Sequence, residues 1–142
     1  WSKNQKVIIK NPNSTRPWQH VLDALYGYLK LAEKLNKDNE INGQSFNFSN
    51  NKIKNYSVIK LLEKLKKNWK SADWKIKNSK TNFKESNLLQ LSNLKAMKSL
   101  SWKSKLDISK TAKLTSEWYK NFYSPKKKIL TFSQIKYFES LI

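Results

Sequence analysis

Cysteine is absent from this 142-residue chain, so disulfides and thiolate metal sites are excluded. A single histidine, His20, leaves little for zinc, and no metal site is expected. Glycine occurs only at Gly27 and Gly43. Two glycines cannot write G-x-G-x-x-G, so a dinucleotide pyrophosphate has no glycine turn to approach. One histidine cannot supply a Ser/His/Asp set, and no carboxylate pair stands out by its spacing. Tyr56 and Lys60 have the Tyr-x-x-x-Lys spacing, but Tyr56 opens a helix whose solvated face carries Lys60, and the match reads as chance. No catalytic residue is therefore expected in the chain. No stretch approaches the ~18 apolar residues of a membrane span, and no segment has the pattern of a signal peptide. A cytoplasmic protein is the simplest expectation.

What the chain has in plenty is lysine. Its formal net charge is +19, and all but one of its 29 basic residues are lysine. Such a balance points toward nucleic acid or an acidic surface. The lysines are scattered through every segment, however, and arginine, the preferred reader of phosphates and base edges, is nearly missing. A lysine-rich module on single-stranded nucleic acid, stacking bases on aromatics, is the alternative reading. The length suits one domain or part of a larger one. With Trp1 in first place, the sequence reads as a piece of a longer polypeptide.

Taken in order, Lys6–Lys10 (KVIIK) is an apolar run ended by Asn-Pro and reads as a buried strand. His20 to Asn36 has helical periodicity, with Leu22, Leu25, Tyr26, Leu29, Ala32 and Leu35 expected inside and Asp23, Lys30, Glu33 and Lys34 outside. Ser45–Ser49 alternates as a strand should, Phe46 and Phe48 on one face and Asn47 on the other. Tyr56–Trp69 is a second helix with Val58, Leu61, Leu62, Leu65 and Trp69 in one stripe. Trp74–Asn78 reads as an edge strand, Ser79–Ser86 as polar loop, Leu88–Leu91 as a short strand and Leu94–Leu100 as a short helix. Asp107 can cap a third long helix reaching about Tyr123, with Ile108, Ala112, Thr115, Trp118, Tyr119 and Phe122 inward. Thr131 and Gln134 have the spacing of a capping box. The resulting order is that of an α/β chain.

Asn11–Tyr28 holds the only arginine, Arg16, with His20, Trp18, Tyr26 and Tyr28 close by. A guanidinium grips a carboxylate or phosphate through two parallel bonds, which an ammonium cannot do. Pro17 stiffens the backbone and pushes Arg16 toward an extended conformation. Two readings stay open: an arginine aimed at an anionic ligand, or one paired with a structural carboxylate. His20 at a helix start reads first as a residue bonding to backbone.

The segment RPWQHVLD, with an Asn-Pro before it and Gly27–Tyr28 after it, resembles one in CDP-glucose 4,6-dehydratases, extended short-chain dehydrogenase/reductase enzymes. The likeness recurs in SFNFS, where the family has Phe-Asn-Phe-Gly-Pro. It recurs again in Glu85–Trp102, with Ser92 in place of Asp and Ser101 in place of Gly, then in Thr115–Tyr123 and LTFSQIKYFES. The resemblance implies a Rossmann-like α/β fold lacking its glycine-rich half. The whole of residues 1–142 would be the nucleotide-sugar-binding C-terminal portion of a larger enzyme. Such an enzyme uses bound NAD to oxidise C4 of the hexose of CDP-glucose, lose water across C5 and C6, and return the hydride to C6. It further implies that Arg16 reaches the diphosphate and Glu85 the ribose hydroxyls, while Asn47, Trp18 and His20 line or support the pocket. The partners implied are the nucleotide sugar, the missing N-terminal Rossmann half and, for the full-length enzyme, further copies of itself. As a fragment, the chain is expected to be inactive.

Overall fold

The computed structural model describes residues 1–50, 56–77 and 89–142. The KVIIK run forms strand β1 (Val7–Ile9), but its side chains are not buried: Val7 is 39% and Ile8 61% exposed. The reason is the sheet. β1 pairs in parallel only with β4 (Trp74–Ile76), in the register Val7 to Trp74 and Ile9 to Ile76, so no third strand or covering layer encloses it among the described residues. A parallel pair needs a long crossover, and helices α1 (Val21–Leu35) and α2 (Val58–Asn68) lie within it. Of the expected edge strand Trp74–Asn78, Trp74–Ile76 form β4, Lys77 stands outside it, and Asn78 lies outside the described residues.

A second two-stranded piece joins β2 (Thr15–Arg16) to β3 (Tyr56–Ser57), antiparallel. The SFNFS segment is not a strand, although Phe46 and Phe48 are half-buried and Asn47 exposed, as the alternation requires. Its Ser49 is instead pinned through side chains: Ser49 Oγ donates to the Leu91 carbonyl at 2.8 Å, and Asn93 Nδ2 donates to the Ser49 carbonyl at 3.1 Å. Residues 89–91 form no strand either, and Ser79–Ser86 and Leu88 lie outside the described residues.

α2 presents the expected face, with Leu62 buried and Val58, Leu61, Leu65 and Trp69 half-buried, capped by Ser57. It packs on α4 (Ile108–Phe122), where Ser116 Oγ donates to the Leu65 carbonyl at 3.3 Å. Asp107 caps α4 by accepting the N–H groups of Ser109 and Lys110. Ile108 and Ala112 are inside as expected, whereas Tyr119 is 47% exposed.

α1 corrects the sequence expectation most. Its apolar residues Val21, Leu25 and Leu29 face out, at 62%, 46% and 70% exposure, while Asp23 is fully buried. The helix is rotated because its inner face is built around Asp23 and Gly27. A Cβ on Gly27 would stand 2.5 Å from Phe48 Cδ1, so only glycine lets that ring close on the helix. Phe48 in turn meets Trp102 edge-on at 5.1 Å, within a core of Ile41, Ala96, Leu100 and Trp102. A second core joins Leu106 and Leu114 to Phe138, and Tyr26 packs against both.

α3 (Leu94–Leu100) ends at Ser101, which has φ 51°. That left-handed conformation explains why glycine suits the position in the resembling family. The capping box is not formed. Leu130 precedes α5 (Thr131–Glu139) without a side-chain cap. Gln134 points inward and donates to the Leu114 carbonyl at 2.8 Å.

Candidate functional site

Arg16 is set by backbone on both sides. Ser14 is buried, and its carbonyl and that of Pro12 accept the N–H groups of Val58 and Ile59, fastening the loop to the start of α2. The antiparallel pairing of Arg16 with Tyr56 then holds the residue extended. Its Nη1 donates to the Thr15 carbonyl at 2.8 Å, which orients the guanidinium plane. After Pro17 the chain turns, with the Trp18 N–H on the Arg16 carbonyl at 2.9 Å. Trp18 Nε1 reaches the Tyr56 carbonyl at 2.8 Å, so this indole ties the loop to β3.

The residues expected at the site are therefore gathered only in part. Arg16 and Trp18 share the β2–β3 unit. Asn47 is exposed and makes no hydrogen bond among the described residues. Glu85 lies outside the described residues. His20 is the N-cap of α1, its Nδ1 accepting the Leu22 N–H at 3.3 Å, and it is buried. Burial lowers the His20 pKa below the ordinary 6.5.

Asp23 was hidden from sequence reasoning. Its Oδ1 accepts the Lys105 N–H at 2.6 Å and its Oδ2 the Leu106 N–H at 3.3 Å, while its carbonyl takes Trp102 Nε1 at 3.1 Å. Burial pushes the carboxyl up from the usual aspartate range, and the two amides pull against that shift. The signal was a glycine in mid-helix, four residues after Asp23 on the same face.

Two cavities flank α4. One, of about 300 Å³, is lined by His20, Thr115, Trp118, Tyr119, Thr131 and Gln134 with neighbouring aliphatic residues. The other, of about 360 Å³, has Trp1, Trp69, Tyr119 and Tyr123 in its walls beside Val7 and Leu62. Neither is lined by Arg16, Trp18 or Asn47. Gly27 sits in a helix against Phe48, and Gly43 follows a 3₁₀ turn with φ 71°.

No family model matches the chain. It is 31% identical over 121 residues to the CDP-glucose 4,6-dehydratase of Salmonella typhimurium strain LT2, a match covering 84% of this chain and 33% of that protein. Its structure superposes on a UDP-glucuronic acid 4-epimerase from Bacillus cereus, solved in complex with UDP-glucuronic acid and NAD. That match has a TM-score of 0.70 and 20% identity, and covers 85% of this chain and 37% of the epimerase. A UDP-glucose 4-epimerase from Bifidobacterium longum, in complex with NAD+ and UDP, matches with a TM-score of 0.65 and 18% identity over 87% and 37% of the two chains. The chain thus spans about a third of the relatives it matches. In sequence it is similar to about a third of a CDP-glucose 4,6-dehydratase, and in fold it is a mixed α/β chain similar to part of these NAD-bound epimerases.

Proposed function

We propose that the chain is the nucleotide-sugar-binding, C-terminal portion of an NAD-dependent CDP-glucose 4,6-dehydratase. The sequence match across most of the chain carries this reading, and the fold of sugar-nucleotide epimerases supports it. In it, Arg16 lays its guanidinium fork on the diphosphate, in a plane set by the Thr15 carbonyl. Trp18 and Asn47 line or support the pocket, and Glu85 reaches the ribose hydroxyls. NAD is held by a part of the protein outside this sequence, the N-terminal Rossmann half, because no glycine here can admit a pyrophosphate. Among the described residues β1 pairs with β4 alone, which supports that partnership: a parallel strand seeks a neighbour on both sides. The 142 residues alone are expected not to dehydrate CDP-glucose with NAD added. In the cell the whole enzyme would be cytoplasmic and self-associating.

The test is a CDP-glucose titration and a thermal melt on the same protein, as wild type, Arg16→Lys and Arg16→Ala. The lysine keeps the charge and loses the fork, so affinity should fall by roughly 1–3 kcal/mol with melting unchanged. Alanine should cost more. Unchanged affinity with lowered melting makes Arg16 a scaffold residue. A steeply salt-dependent affinity for an oligothymidylate, with none for CDP-glucose, replaces this reading with the nucleic-acid one.

A further inference from the structure

The cavity between α1, α4 and α5 excludes charge in a chain crowded with it. No lysine, arginine, aspartate or glutamate lines it, although the chain has 29 basic residues. A diphosphate or any other anion would find no counter-charge there, and a cation no carboxylate. Its walls are tied together by hydrogen bonds and ring contacts. Trp118 Nε1 donates to Thr131 Oγ1 at 2.9 Å, and the indole stacks on Phe122 at 4.9 Å with planes 11° apart. Tyr119 closes edge-on against Trp118 at 5.1 Å. Gln134 is engaged by the Leu114 carbonyl.

His20 is the polar group left over. Its Nδ1 accepts the Leu22 N–H, so in the neutral ring the proton sits on Nε2. That N–H finds no hydrogen-bond partner among the described residues, although His20 is only 6% exposed. The donor is not sealed, since the atoms both buried and unpartnered among the described residues are Gln19 Oε1 and Thr111 Oγ1, and His20 lines an apolar cavity of about 300 Å³, the lower end of the size range of small-molecule sites.

We propose that this cavity binds a small, flat, uncharged molecule whose carbonyl oxygen accepts from His20 Nε2 and whose apolar body lies along Trp118. The site is separate from Arg16, which does not line it. Its ligand is neutral, where that of Arg16 is an anion. The lowered pKa of His20 keeps the ring in the state with one N–H to give.

The single histidine makes the test direct, because its imidazole proton signal needs no assignment among others. The purified chain is titrated with acetophenone, with ethylbenzene as the isostere lacking the carbonyl, and with benzoate as the anion. Acetophenone should move the His20 signal saturably and bind roughly tenfold more tightly than ethylbenzene, the share of one hydrogen bond. Benzoate, drawn to lysines elsewhere, should leave the signal in place. His20→Asn keeps a capping side chain and removes the ring donor, so acetophenone should fall to the ethylbenzene level with melting nearly unchanged. Thr115→Leu fills the cavity and should abolish both. Equal affinity for acetophenone and ethylbenzene, no saturable movement of the His20 signal, or full binding by Thr115→Leu overturns the proposal. None of these readouts involves CDP-glucose, so they stand apart from the fate of the Arg16 assignment.

Discussion

β1 and α1 invert the usual arrangement in opposite directions. In β1 an isoleucine, Ile8, stands 61% exposed; in α1 an aspartate, Asp23, is sealed from solvent. The difference lies in what each has beside it. Among the described residues Ile8 belongs to a sheet of two strands, and its apolar surface finds no layer to enter there. Asp23 has two backbone amides aimed at its carboxylate, and those bonds replace the water it gives up. Hydrophobicity states a preference; neighbours decide whether it is met.

Removing the neighbours' partner should give the largest effect. Asp23→Ala leaves the Lys105 and Leu106 amides unsatisfied in the core and should destabilise the chain by roughly 2–4 kcal/mol in urea unfolding. A loss below 0.5 kcal/mol, on the scale of an exposed site, would place Asp23 on the surface after all.

Next comes Gly27→Ala, which drives a methyl into the Phe48 ring and should cost about 1–3 kcal/mol. Phe48→Leu in the same chain should recover part of that loss, because the obstacle is the ring. If the double variant is no better than the sum of the two changes, the clash is not the cause.

A smaller effect follows from His20. Its folded pKa lies below 6.5, so between the two values the unfolded chain binds the extra proton and the folded one does not. Its contribution is present in full above pH 6.5 and drains away as pH falls through that window. Asp23, with its pKa raised from 3.8, has the opposite sign: its contribution is lost as pH rises through its folded value. Denaturant unfolding from pH 7.5 downward should show the His20 slope, and His20→Asn should flatten it. An unchanged slope would assign it elsewhere.

The smallest effect sharpens the other half of the comparison. Ile8→Thr keeps a β-branched residue at an exposed position and should change stability by less than about 0.5 kcal/mol. A loss of 2 kcal/mol, as for a filled core site, would show that β1 is covered in solution, by a second copy or by rearrangement.

Much of the fold was legible from sequence where the cause is local. Asp107 caps its helix as expected because capping needs only the next few amides, and the stripe of α2 follows from its own spacing. The face of α1 was not legible, since it depends on amides 82 and 83 residues away. Gln134 was misread for the same reason: its spacing from Thr131 suits a cap, but its amide reaches Leu114 on another helix. At the candidate site, Arg16 stood out because it is the sole arginine. Trp18 stood out as an aromatic beside it, yet its indole N–H serves the Tyr56 carbonyl. The role of His20 as a cap was visible, whereas its unused ring N–H required the cavity to be seen.

The Asp23 cluster also bears on time. Its three bonds join positions 79 to 83 residues apart, so closing them means first gathering a loop of that length, and longer loops close at greater entropic cost. The turns of α1 and α4 can form within about a microsecond from local contacts alone, whereas this junction waits on the whole intervening chain. Helix formation should therefore run ahead of core closure during refolding, and the burial of Trp102 should mark the slow step.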